Sequence, residues 1–297
     1  MMRKIYGVIV LAALFTVLLQ VPVLAVEPGE ERVTLGANLT EKQITQIYAD
    51  FNLERGKVTE IIVTIDEERE YLAGLVPDQK IGSTSISSIY IRTLEEDSGI
   101  NVTTNNINWC TEDIYRNALM TAGVENASVM VSAPFMVSGT AALTGIYKAY
   151  EDITGVKLDQ TAKEVAAEEL VTTSELAETI GSDDATMLMN ELKKILDETK
   201  DMTDDELRVV IINLADAQNI ELTEENIQQI INLSRTLEKL DISKWGDKLS
   251  QLAETMENAK EAGKGITAFL NGLGDFFTGI SDFITNIFSG IGKLFGS

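Results

Sequence analysis

No proline follows Pro134, although the chain runs on to residue 297. Proline lacks a backbone N–H and its ring clashes with the preceding turn, so it breaks helices. The chain beyond residue 134 is therefore free of enforced helix breaks, and its apolar residues recur at helical spacing. Helices are predicted over 141–154, 159–171, 174–180, 183–199, 204–218, 223–241 and 244–262. Capping boxes are read at Thr172-Thr173-Ser174-Glu175 and Thr203-Asp204-Asp205-Glu206, where a hydroxyl and an acid satisfy each other's free N–H groups.

The first half reads differently. Thr40-Glu41-Lys42-Gln43 is a capping box that opens a helix to about Phe51. Strands are predicted at 58–65, 84–93, 100–109 and 125–132, rich in Val, Ile and Thr. The run Asp66-Glu67-Glu68 opens a short helix that Gly74 stops, and Thr111 caps another that ends at Gly123. The apolar phase slips between Val102 and Ile107, which predicts a bulge near Asn105-Asn106. The loop 95–99 is read as a hairpin. The resulting order is β-α-β-β-α-β, the pattern of a ferredoxin-like α/β sandwich. The expected fold class is α+β: an α/β domain at 36–138, a helical domain at 139–262 and an amphipathic segment at 264–297.

The chain opens with Arg3 and Lys4, then an uncharged run from Ile5 to Leu19, then Val23-Leu24-Ala25. A positive n-region, an apolar core and small residues at the cleavage positions form an export signal. Cleavage is expected between Ala25 and Val26, so residues 1–25 are expected to be a signal peptide and the protein to lie outside the cytoplasm, secreted or associated with the envelope. An uncleaved anchor is the alternative, because Ile5 to Val26 is barely long enough to span a membrane.

Composition excludes much chemistry. There is no histidine, which removes Ser-His and Cys-His nucleophiles and His-ligated metals. A single cysteine, Cys110, excludes an internal disulfide framework and a cysteine-cluster zinc site. With 47 acidic against 24 basic residues the net charge is −23, which argues against nucleic acid as a partner. Cleavage after Ala25 would remove two basic groups and no acid. No catalytic, cofactor-binding or metal-binding residue and no cofactor is predicted. Cys110, beside Trp109, reads as a small buried hydrophobe.

Gly139 to Gly145 invites a phosphate-loop reading but lacks the Gly-Lys-Ser/Thr ending. The alternative is a glycine-marked helix start that packs tightly on the sheet. The carboxylates Glu67, Glu68, Glu70, Asp183, Asp184, Asp204, Asp205 and Glu206 would suit a glycosidase pair or Ca²⁺. Most lie in the first turn of predicted helices, where they complement the helix dipole. Weak outer-surface binding of divalent cations follows from the overall negative charge. Ser85, Ser87, Ser88, Thr103, Thr104, Asn105 and Asn106 either line a polar groove or form the exposed face of an antiparallel sheet.

The segment from Lys264 onward holds six of the nine phenylalanines, with two lysines against two aspartates. Its apolar positions fall on one side of a helix, with Phe269, Phe276, Phe277, Phe283 and Phe288 among them. This face is expected to pack within the fold, to self-associate or bind a partner helix, or to lie on a membrane surface.

Three segments resemble the YpuA-like family of exported proteins from Gram-positive bacteria. These are Tyr71 to Pro77 with Ile81-Gly82 and Ile86 to Tyr90, then Ala133 to Gly145, and Glu168 to Thr173. The resemblance covers about residues 36–262. It implies an extracytoplasmic protein of undefined biochemical role and supplies no catalytic residues. Cys110 departs from it, standing where an aliphatic residue is expected. The function expected is that of an exported binding or interaction protein. The alternative is a hydrolase of cell-wall or extracellular glycans that uses carboxylates alone.

Overall fold

The computed structural model describes residues 27–241, apart from 73 and 76–80. The expected signal at 1–25, the expected helix at 244–262 and the Phe-rich segment lie outside these residues. Among the described residues there are five strands and nine helices. The strands are β1 (Glu31–Gly36), β2 (Thr59–Val63), β3 (Ser88–Thr93), β4 (Ile100–Ile107) and β5 (Ala127–Val137). The first four helices are α1 (Glu41–Asp50), α2 (Ile65–Leu72), α3 (Glu112–Ala122) and α4 (Thr140–Thr154). They are followed by α5 (Gln160–Ile180), α6 (Ser182–Lys194), α7 (Leu196–Thr199), α8 (Asp204–Ala217) and α9 (Glu224–Leu237). The class is α+β, as the sequence indicates.

The strand pairing corrects the expected ferredoxin-like arrangement. The sheet order is β2-β1-β3-β5-β4. β1 and β2 are parallel, β4 and β5 are parallel, and β3 runs antiparallel to both β1 and β5. Two β-α-β units thus flank one reversed central strand. β3 and β4 form no hairpin, because β5 lies between them. The loop between them runs past the start of β5, where Leu94 donates to the Asn126 carbonyl and Ala127 to that of Gly99.

β1 was absent from the sequence reading. Its charged opening, Glu31-Arg32, masks the alternation of Val33 and Leu35 that the structure buries. A second correction concerns Thr172 to Glu175. This segment lies inside the continuous helix α5, where Thr173 and Ser174 are fully buried, and it caps nothing. The boxes at Thr40 and Thr203 do form, as does the bulge between Asn105 and Ile107.

The sheet's two faces are dressed unequally. Ile44, Ile47 and Tyr48 of α1, with Phe51 just after it, pack on Val33 and Leu35 on one face. On the other, Ile89, Ile91, Val129 and Val131 join a larger core that continues into α3, α4, α5, α6, α8 and α9. Helix α4 lies directly on β1, β2 and β3. The core is therefore continuous across the 138/139 junction.

Both outer strands carry side chains on their backbone groups. Lys148 donates to the Ile62 carbonyl of β2, Arg116 to the Ile100 carbonyl of β4, and Glu112 accepts from the Thr104 N–H. Occupied edge groups oppose strand addition by another chain.

Candidate functional site

A cleft of about 590 Å³ opens where α3 ends, α5 begins and the chain leaves α9. Thr121 and Gly123 supply one wall, Lys157 and Asp159 a second, and Lys239 and Asp241 a third. Gly123 ends α3 in the left-handed conformation, at φ 87°, where a side chain would be strained. Asp159 is the N-cap of α5 and accepts from the Ala162 N–H at 2.9 Å. Lys157 is paired with Glu151 at 2.6 Å.

Behind Thr121 lies a buried polar seam between α3, α5 and α6. Lys193 and Glu169 form an ion pair with neither side chain exposed. The Lys193 ammonium also donates to the Thr121 hydroxyl at 2.8 Å and to the Asn117 carbonyl at 3.2 Å. The Thr121 hydroxyl in turn donates to Glu169. Burial pulls the Lys193 ammonium below its usual range, and the neighbouring Glu169 opposes that pull. One helical turn along, Asn117 and Thr173 are also fully buried. Thr121 is committed to this pair and barely exposed, so its hydroxyl is a structural bond, not one presented to the cleft.

Sequence reasoning missed this seam, since its members are scattered along the chain. One signal was available. Glu169 falls on the inner face of α5 among Val165, Ala166, Leu170 and Leu176, all of them buried. A carboxylate on such a stripe needs a buried cation.

The singled-out carboxylates are dispersed. Glu67 accepts from the N–H and hydroxyl of Thr64 and from Lys148, Glu206 closes the capping box with Thr203, and Asp204 pairs with Arg235. Asp183 and Asp184 sit in the first turn of α6, and Asp205 in that of α8. Glu70 is exposed on α2. Glu68 is the exception, with no exposed surface at all. No group of three or more Asp, Glu, Cys or His side chains among the described residues is placed to hold a metal ion.

The polar cluster also divides. Ser85, Ser87 and Ser88 are buried, whereas Thr103 and Asn105 are exposed on β4. Asn105 donates to Ser132 at 3.3 Å, and Ser132 to Asp50 at 2.7 Å, so a polar row runs from β4 to the end of α1. Asn106 turns away to the Ala133 carbonyl. Cys110 is buried and accepts from the Ser174 hydroxyl at 3.8 Å. Gly139 and Gly145 serve packing. A Cβ on Gly139 would fall 2.4 Å from the Tyr115 hydroxyl, and one on Gly145 the same distance from that of Thr34.

This is an α+β protein in which, among the described residues, most of the singled-out acidic side chains lie in the first turns of helices or pair with lysines and arginines. The chain belongs to the family described as a protein of unknown function, DUF1002, whose model it matches over residues 35–255. It is 37% identical over 273 residues to "Uncharacterized protein YpuA" of Bacillus subtilis (strain 168), covering 91% of this chain and 90% of that relative. No solved structure matches.

Proposed function

We propose that the protein is exported, is cut between Ala25 and Val26, and works outside the cytoplasm as a binding or interaction protein. The observation that carries the non-catalytic part is the engagement of the carboxylates. A glycosidase needs two carboxyls facing one another about 5–10 Å apart across a cleft. Here the cleft's Asp159 is tied to the first turn of α5. The export part is supported by Arg3, Lys4, the apolar run and Val23-Leu24-Ala25. Phe276 and Phe283 belong to the segment that holds the protein at the envelope, on a membrane surface or through a second copy. Its negative surface attracts divalent cations weakly.

Culture fractionation of the full chain and of a Phe276→Asp/Phe283→Asp variant tests this, with intact-mass measurement of the exported protein. A mass that begins at Val26, with envelope retention lost in the variant, is the expected result. A mass that retains residues 1–25 overturns the cleavage, and unchanged retention overturns the role of the Phe segment. Purified protein incubated with peptidoglycan is expected to release no reducing ends. Release that disappears on substituting Asp159 or Asp241 establishes the hydrolase instead.

A further inference from the structure

Glu68 lies in α2 with none of its surface exposed, and neither carboxyl oxygen makes a hydrogen bond of normal geometry among the described residues. The Ser85 hydroxyl, close enough to act on it, is equally buried and makes none either. Ser85 is held by its backbone. Its N–H donates to the Asn38 side chain at 2.9 Å, its carbonyl accepts from the Asn38 N–H at 3.1 Å, and that carbonyl rests on Gly36 so closely that a Cβ there would fall 2.4 Å away. Leu72, one turn further along α2, is buried too.

Among the described residues no lysine or arginine forms an ion pair with Glu68. The charges that act on it are Arg69 and Glu67, both on its own helix. Arg69 is exposed and donates to the Gly82 carbonyl. The elements packed on α2 are α4 and α5. From α4, Lys148 is bonded to Glu67 and to the Ile62 carbonyl. The buried charges of α5, Lys163 and Glu169, are taken by Glu151 and Lys193. An ionised carboxylate is strongly disfavoured in such a place, whereas a neutral carboxyl is tolerated.

We infer that Glu68 is a proton-controlled latch: protonated, it lets α2 dock against α4 and α5, and ionised, it drives the helix off them. Burial pushes its carboxyl up from 4.5 to about 7, so the transition falls in the range an exported protein meets. The undocked helix binds fewer protons than the docked one. Docking is therefore complete below the ordinary carboxylate value and is lost as pH rises towards 7. One proton is involved, so the undocking equilibrium rises about tenfold per pH unit across that window and then levels off. The helix is suited to the role, being only eight residues long. Helices that short do not persist without packing.

Hydrogen exchange on the full chain from pH 5 to pH 8, corrected for intrinsic rates, reads the latch directly. Protection of the α2 amides is expected to fall about tenfold per pH unit from 5 to 7, while the amides of α9 stay protected. Glu68→Gln and Glu68→Met are expected to remove the pH dependence and keep α2 protected at pH 8. Two variants are used so that a folding failure in one leaves the other to decide. Flat wild-type protection overturns the latch, as does the same slope in both variants. A parallel loss in α9 makes the event global and also overturns it. Restoration of wild-type protection at pH 8 by added Na⁺ or Ca²⁺ would identify a cation site and overturn the switch.

Discussion

Gly145 of α4 sits on Thr34 of β1 so closely that a methyl group on the glycine would fall 2.4 Å from the threonine hydroxyl. Thr34 is 1% exposed, so its side chain has nowhere to retreat. This contact sets how near α4 comes to β1, while α3, packed on β4, carries the sheet's core on to α5 and α6.

Gly145→Ala is expected to destabilise despite alanine's better helix propensity. That propensity is worth about 1 kcal/mol, whereas overpacking a tight interior costs about 1–3 kcal/mol. Thr34→Ala should recover part of the loss, since the clash is with the hydroxyl. Denaturant unfolding of the two single variants and the double variant measures the coupling. Strictly additive effects would show that the two residues do not meet.

Lys193→Met is expected to be among the most damaging single changes, because it leaves Glu169 charged and unpaired in the core. Breaking a buried pair from one side costs about 3–5 kcal/mol. Lys193→Met with Glu169→Leu should be far milder, since both charges leave together. If the double variant is as unstable as the single one, the pair is not what holds α3, α5 and α6 together.

The contrast between these two sites explains what the sequence disclosed. Gly145 was legible because glycine within a helical pattern beside a sheet has few uses other than close approach. The capping boxes at Thr40 and Thr203 were legible because both partners lie within four residues. The Lys193–Glu169–Thr121 seam joins three helices and has no local pattern. The order β2-β1-β3-β5-β4 was hidden for a similar reason. A short loop between β3 and β4 suits a hairpin, and only the long-range pairing of β5 with both strands rules one out. The buried Glu68 was misread for the opposite reason, because in the first turn of α2 an acid looks like a dipole partner.

Cys110→Val is expected to be close to neutral, within about 1 kcal/mol, because it keeps a small apolar side chain in a closed site. The cysteine is 1% exposed, accepts a long bond from Ser174 and interacts with the Tyr115 hydroxyl. Thermal unfolding checks this. A variant that folds normally yet loses envelope retention in culture fractionation would give the thiol a role that packing does not supply.

Acid is expected to weaken the fold through Glu151. Burial alone would raise its carboxyl, but bonds from Lys157, Lys163 and the Leu158 N–H outweigh burial and hold it below the usual 4.5. The unfolded chain therefore takes up a proton here before the folded one does. The stabilisation is fully present above pH 4.5 and disappears as pH falls through the lower folded value. Glu151→Gln removes the carboxylate that pairs with the buried Lys163 at 3.0 Å, and should lower the melting temperature at neutral pH. The gap between wild type and variant should then narrow on acidification, because the wild type loses the same charge. Melting curves at pH 7, 5, 4 and 3 follow that gap. A gap of constant size across the series would mean that Glu151 acts by packing and hydrogen bonding alone, with its charge contributing nothing.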